Sequence, residues 1–478
     1  MGNILNDSKA AAVRPNLILS ICCLSLLLVG MDVTIVNVAM PAIQRDLHAS
    51  LSGLQWIVDS YTLVVASLLM FSGAMSDRFG RRRVFQIGLV LFISGSLLCS
   101  LAHGIGQLTA FRALQGLGAS MLNPVALSII ANVFPAPRDR ARAVGIWGAV
   151  AGISLALGPL IGGALTESVG WRAIFWINVP IGLAAVALAA RFIPESKAAR
   201  ARALDPVGQL LVFAGLASLC GALIEGSQRG WSSPWIVALF ATAAISAVGF
   251  LTYEPICKEP LLDLRFFRSV PFSSATLLAV SAFSSFAGFL FLNALYLQQV
   301  RGLSAVHTGL YTLPLAISMT ICAPLSGRLV GTYGPRPSLL AAGTGFLIST
   351  WLLTGLSAHT SLAVLLAAYA LFGVGLGMVN PAITNNAVAG MPLSQAGVAA
   401  AIASTSRQVG AALGVAVAGT VAAVSQRAGV DFARGTHPIW WAMTGCGAVV
   451  WLVGWISTSR WALASVERTR HLLGEAAR

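Results

Sequence analysis

The sequence predicts an all-α integral membrane protein: two six-helix bundles with two further transmembrane helices inserted between them, fourteen spans in all. Three observations predict it. The 478 residues are 57% hydrophobic and only 10% charged, with a mean hydropathy of +0.81. A soluble chain carries roughly a quarter charged residues, so most of this surface must meet lipid. The apolar residues are gathered into runs of about 20, the length that crosses a bilayer as a helix. Finally, signatures in the first half return in the second at a nearly constant offset, which marks an internal repeat.

In chain order the apolar runs fall near 16–40, 53–75, 84–102, 107–131, 142–165, 173–193, 206–225, 234–253, 272–299, 309–330, 338–357, 362–386, 395–421 and 439–459. The first is too long for the apolar region of a signal peptide and has no cleavage site, so it is expected to remain as a spanning helix. The expected divisions are an amino-terminal segment 1–15, a first bundle 16–196, the inserted pair with basic linkers 197–271, a second bundle 272–459 and a tail 460–478.

The net charge of +14 would suit a nucleic-acid partner, but its placement argues for topology instead. Arg78 to Arg83, Arg138 to Arg142, Arg191 to Arg202 and Lys258 to Arg268 are basic connections on one side; Ala102 to Gly106 and Ala358 to Ser361 lie on the other. Placing both termini in the cytoplasm puts about 22 Lys/Arg inside and about 6 outside, as the positive-inside rule requires. The expected location is the bacterial cytoplasmic membrane, with no nucleic acid bound. Seven cysteines, mostly inside apolar runs, read as packing residues. Six scattered histidines give no i, i+4 pair, so no metal site is expected. A Walker-type loop and a nucleophile–base pair are both missing from the pattern, so neither ATP drive nor an enzyme is expected.

The repeat is explicit. Gly73-Ala-Met-Ser-Asp-Arg-Phe-Gly80 is matched by Gly327-Arg-Leu-Val-Gly-Thr-Tyr-Gly334. Gln115-Gly-Leu-Gly-Ala-Ser-Met-Leu-Asn-Pro124 is matched by Phe372-Gly-Val-Gly-Leu-Gly-Met-Val-Asn-Pro381, and Gly145, Gly158 and Gly162 by Gly397, Gly410 and Gly414. Parallel halves of this kind are a transporter architecture whose site lies between them.

Charges within the bilayer are costly and are therefore the first functional candidates. Asp32 lies about 13 Å below the outer end of its helix at 1.5 Å per residue, and Asp59 and Arg112 about 8–9 Å below theirs. Two acids and one arginine are thus expected to share the outer half of the first bundle. Burial favours a protonated acid and a guanidinium the carboxylate, so a moving gate can switch a proton site between the two; the alternative is a static ion pair. Arg407 lies roughly 18 Å deep with no equally deep acid in its half. It either faces a wet cavity, repelling cations or attracting an anion, or bonds backbone carbonyls.

In their order, these motifs resemble the major facilitator superfamily, specifically its fourteen-helix drug:proton antiporter branch of EmrB/QacA-like multidrug efflux transporters. The resemblance runs from about Met31 to Trp461. It rests on Met31-Asp-Val-Thr-Ile-Val-Asn-Val-Ala-Met-Pro41, Gly73 to Arg83, Arg112-Ala-Leu-Gln-Gly116 and Gly158-Pro-Leu-Ile-Gly-Gly163. Trp171-Arg-Ala-Ile-Phe-Trp-Ile-Asn-Val-Pro-Ile-Gly182 and Pro260-Leu-Leu-Asp-Leu-Arg-Phe-Phe-Arg268 complete it.

The resemblance implies a monomeric alternating-access carrier of small organic, lipophilic and often cationic compounds. It needs no cofactor and is driven by the proton gradient, its partners being substrate, protons and membrane lipid. Proton coupling falls on the positions of Asp32 and Arg112, with Asp59 beside them. A cytoplasmic latch falls on Gly73, Asp77, Arg78, Gly80 and Arg81. Here Gly73 is expected to allow a close helix approach and Gly80 a tight turn, while Asp77 pairs with Arg81 or caps a helix. Gly331 stands where the second copy would need the aspartate. The Gly158-Pro159 pair with Gly162 is typical of antiporters, and Arg407, Gln115, Asn123 and Tyr296 are candidates for the substrate cavity. The stretches Ala403–Gln408 and Ser318–Ile321 lack the acids that some multi-cation exporters carry, which argues against a preference for dications. Two rivals remain: proton-coupled transport of a specific metabolite, and a non-transporting membrane sensor or scaffold.

Overall fold

A computed structural model describes residues 14–198, 205–257, 260–391 and 395–475. Most of the expected amino-terminal segment and part of the first basic linker lie outside them. The first six helices are α1 (Pro15–Asp46), α2 (Leu51–Phe79), α3 (Arg81–Ser100), α4 (Ile105–Val133), α5 (Pro137–Ser168) and α6 (Ala173–Phe192). Next come α7 (Pro206–Arg229) and α8 (Pro234–Tyr253). The second set comprises α9 (Val270–Leu295), α10 (Ala305–Tyr333), α11 (Arg336–Leu353), α12 (Leu362–Val388), α13 (Ala396–Arg427) and α14 (His437–Ser457). A last helix, α15, spans Arg460–Glu475.

Among the described residues, thirteen helices are long and apolar enough to cross a membrane. The predicted run 338–357 forms α11, which has only 18 residues and includes Arg336, two glycines and four hydroxyl side chains. It is not one of the thirteen, so the expected count of fourteen exceeds by one what length and composition alone carry.

In each bundle the helices approach through small residues, as lipid-embedded helices must when no water drives them together. The packing repeats with the sequence. In the first bundle α4 meets α2 where a Cβ on Gly116 would lie 2.7 Å from the Tyr61 carbonyl oxygen. In the second, α12 meets α10 where a Cβ on Gly373 would lie 2.9 Å from the Leu315 carbonyl carbon. Likewise Gly162 of α5 abuts Ile35 of α1, and Gly414 of α13 abuts the backbone of Ser284 in α9. The two bundles are therefore copies in their contacts as well as in their motifs.

The bundles are joined along α5–α10, α2–α13 and α1–α9. These seams are tightest at the end remote from the arginine-rich turn between α2 and α3. There Gln298 Nε2 donates to Val38 O at 2.8 Å, Gln299 to Gln44 at 2.6 Å and Val306 N to Glu167 at 2.8 Å. Toward the basic end, α5 and α10 expose Val144, Ile146, Ile321 and Leu325. The halves are closed at one end and splayed at the other.

The inserted pair is unequal. α7 packs on both α2 and α13, whereas α8 leans on α7 and is otherwise almost wholly exposed, Ile236 and Ser246 being its buried residues. In a bilayer that face is covered by lipid. The expected tail is largely the helix α15, anchored where Ser465 Oγ accepts from Val270 N at 2.9 Å.

Candidate functional site

α1, α3, α4 and α6 bring one polar cluster into the apolar first bundle. Asp32 and Arg112 are both fully buried, and Arg112 Nη1 donates to Asp32 Oδ2 at 2.5 Å. Gln115, one turn beyond Arg112 on α4, donates to Asp32 Oδ1 at 2.7 Å and accepts from Arg112 Nη1 at 2.7 Å. Asn178 of α6 donates to Asp32 Oδ1 at 3.3 Å and to Ser96 Oγ at 3.1 Å. Arg112 Nε is held by the Ile57 carbonyl at 3.2 Å, and its guanidinium lies 4.3 Å from the Tyr61 ring centroid. The carboxylate is therefore satisfied on both oxygens and sealed from water. Burying two charges is tolerable only with such complete bonding.

Asp59 does not join this cluster. Ile57 and Tyr61 point α2 toward α4, and Asp59, midway between them, is carried to the opposite face. Trp56 and Leu63 share that face and pack on Cys220, Ala412 and Ala416 of α7 and α13. Asp59 is fully buried, and neither carboxylate oxygen has a hydrogen-bond partner among the described residues. The expectation of two acids around one arginine is corrected: helical phase separates Asp59 from the other two. One turn above, Gln55 of the same face donates to Ala416 O at 2.8 Å, a cross-bundle tie that the sequence reading did not single out.

The turn after α2 forms a closed polar knot. Gly80 has φ of +113°, which favours glycine, and a Cβ there would lie 2.6 Å from Glu195 Oε1. Asp77 pairs with Arg81 at 3.3 Å, as expected, and its carbonyl accepts from Ala198 N at 3.1 Å. Arg81 N donates to Ser196 O at 2.9 Å and Arg82 N to Glu195 Oε1 at 3.1 Å. Glu195 is the missed member: it sits inside a stretch read as a basic run, yet it also pairs with Arg83 at 3.7 Å. Arg78 instead lies near the Phe79 ring at 5.9 Å. The close approach expected of Gly73 is not present, since a Cβ there would meet nothing within 4 Å. Glu195→Gln is expected to lower transport severalfold at normal expression, because the backbone donors Arg82 N and Ser196 N keep an acceptor while Arg82 and Arg83 lose their counter-charge; unchanged initial rates in vesicles would reduce the knot to a passive turn.

In α5, Gly158 abuts Thr34 and Gly162 abuts Ile35, while Pro159 faces Gly309 of α10. The motif thus serves two surfaces, one inside its bundle and one across the seam.

The four cavity candidates separate. Gln115 belongs to the Asp32 cluster and is wholly buried. Tyr296 is also buried, its hydroxyl donating to Ser357 O at 2.6 Å in the closed end, so it lines no cavity here. Asn123 is half-buried, and its Oδ1 has no partner among the described residues. Arg407 donates to Ser404 Oγ at 3.0 Å and to exposed Thr384 at 2.7 Å, with Phe283 at 5.9 Å. Its partners are hydroxyls, and no salt bridge to it is found among the described residues.

Two six-helix bundles that repeat each other's contacts and meet along seams closed at one end, the first enclosing a buried acid–arginine pair, define a membrane transporter of the two-bundle class. Residues 22–415 match the sequence profile of the Major Facilitator Superfamily, and the chain belongs to that family. It is 38% identical to the multidrug resistance protein Stp of Mycobacterium tuberculosis (strain CDC 1551 / Oshkosh) over 84% of this chain and 74% of that one. It is 38% identical to the tetracenomycin C resistance and export protein of Streptomyces glaucescens over 83% and 74%. It is 34% identical to the methylenomycin A resistance protein of Bacillus subtilis (strain 168) over 90% and 92%. The fold is also that of a bacterial homologue of the human lysosomal transporter Spinster, solved inward-facing and unoccupied. That match has a TM-score of 0.63 at 18% identity and covers 95% of this chain and 98% of the other.

Proposed function

We propose that this protein exports lipophilic organic compounds across the bacterial cytoplasmic membrane in exchange for protons, acting as a monomer of the fourteen-span EmrB/QacA-like branch with both termini in the cytoplasm. The observation that carries the reading is the sealed Asp32–Arg112–Gln115 cluster in a bundle whose seams are closed at the opposite end from the Gly80 knot. In this arrangement the splayed end faces the cytoplasm and receives substrate. α11, packed between α12 and α14, supplies the fourteenth span. Protons entering from outside reach Asp32 when the closed end opens; protonation releases Arg112 and favours the return stroke. Neutralising a carboxylate removes most of its burial cost, which is why an acid suits proton coupling. One charge crossing 100 mV supplies roughly 2.3 kcal/mol, sufficient for concentration ratios on the order of fifty.

The names of the relatives support resistance and export as the biological setting. Arg407, bonded to hydroxyls at the splayed side, favours substrates bearing oxygen acceptors over dications. The same residue gives the metabolite-transporter reading its best footing, through an anionic substrate.

Inverted vesicles carrying the protein separate these readings. With the lumen acidified, so that the proton gradient is directed outward, ethidium is expected to accumulate, and an uncoupler to abolish accumulation. Uptake in right-side-out vesicles that stops with the uncoupler would reverse the direction, and no flux in either would leave a sensor or scaffold.

A further inference from the structure

A cavity of about 180 Å³ lies in the half of the helices next to the basic end. Its walls come from four sources: α2 (Ser67, Met70), the inserted helices (Val212 of α7, Phe250 of α8), α9 and α13 (Thr405 among others). Leu261, Leu262 and Phe267, between α8 and α9, complete it. That segment is pinned by two acids: Leu261 N donates to Asp205 Oδ2 at 3.3 Å and Leu262 N to Glu254 Oε2 at 3.4 Å.

Two hydroxyls distinguish this space from a packing defect. Ser67 is 3% exposed, and its Oγ has no hydrogen-bond partner among the described residues. Thr405 Oγ1, from the opposite bundle, is likewise buried and unpartnered. A buried hydroxyl left without a partner is costly, and here one from each half lines the same apolar space. No charged residue is among those lining it. Its volume falls below the roughly 300 Å³ that encloses a whole drug-sized ligand, so it fits one arm of a larger molecule.

We propose that this side chamber, built by the inserted helices, binds the apolar arm of the transported amphiphile as it arrives from the lipid, with Ser67 and Thr405 bonding a neutral polar group. The two extra helices then have a defined role, which is to wall the crevice between α2 and α13 into a pocket. Because the ligand contacts both bundles there, its occupancy is sensitive to their relative position. The proposal rests on the export reading for the identity of the ligand.

The test uses the full-length protein in lipid nanodiscs with a diazirine-bearing quaternary alkylammonium as photoprobe, the labelled peptides being mapped by mass spectrometry. Label is expected on the peptides holding Val212 and Thr405, to be displaced by excess unlabelled alkylammonium, and to fall about tenfold in Val212→Trp. Val212→Ala, which leaves the chamber open, is expected to retain it and controls for folding. No label on these peptides overturns the proposal. So does label that resists the unlabelled competitor yet vanishes when nanodisc lipids are exchanged for short-chain ones, because the chamber is then a lipid niche. Proton-driven flux of the same compound is measured in parallel. Competitive labelling without flux would sink the export reading while supporting the chamber, and flux with an unlabelled chamber would sink the chamber alone.

Discussion

Asp32→Asn is expected to abolish proton-driven transport, lowering the initial rate in energised vesicles by about a hundredfold. The amide still accepts from Arg112, but it cannot take up or release a proton. It also leaves the guanidinium without a counter-charge in a site that admits no water. Removing one partner of a buried pair costs about 3–5 kcal/mol, equivalent to roughly a hundredfold to a few thousandfold in an equilibrium constant. The sealed state is therefore destabilised at the same time as the proton carrier is lost. Transport assays should be read beside size-exclusion profiles of solubilised protein. A well-folded Asp32→Asn protein that still drives a vesicle pH change on substrate addition would remove Asp32 from coupling.

Gly309→Ala is expected to hold the closed end open. A Cβ at Gly309 would lie 2.8 Å from the Pro159 carbonyl carbon and 3.2 Å from Leu160 N. Both are backbone atoms of α5 that cannot swing aside, so α5 and α10 must separate. An added carbon in a close-packed site costs roughly 1–3 kcal/mol, enough to shift the balance between closed and open ends by about five- to hundredfold. Transport should fall at least about tenfold, and maleimide should reach Gln298→Cys more readily in a cysteine-depleted background. Gly327→Ala on the same helix, where the added carbon meets nothing within 4 Å, should behave as the parent. Equal labelling in the two variants would mean that the seam tolerates the carbon.

Much of this architecture is legible in the sequence because lipid imposes a simple rule: a long apolar run must be a helix. The repeat is legible through glycines, and the close contacts at Gly116 and Gly373 explain why those positions hold no larger side chain. Asp32 and Arg112 stand out as charges at depth. Asp59 is misplaced by the same criterion because depth says nothing about azimuth; the spacing of Trp56, Asp59 and Leu63 against Ile57 and Tyr61 carries the missing information. Gln115 and Asn178 carry no charge, so nothing in composition flags them as ligands of a carboxylate. Glu195 is hidden when the charge of its neighbourhood is counted instead of asking what one acid does among arginines. Residue type alone points Tyr296 at a cavity, whereas its hydroxyl is engaged in a loop at the closed end. Arg407 shows its depth but not its partners, because hydroxyls on adjacent turns are common in such helices.

The position of α7 has a mechanical consequence. It bonds the first bundle through Gln209 to the Ser67 carbonyl and through Gln228 to Ser50 Oγ at 3.2 Å. It bonds the second through Thr420, which donates to Leu223 O at 2.7 Å, and through Arg427, which donates to Ser227 O. A helix strapped to both moving bodies cannot travel with either one for free. Any displacement of one bundle against the other along this side must break or shift one set of these links.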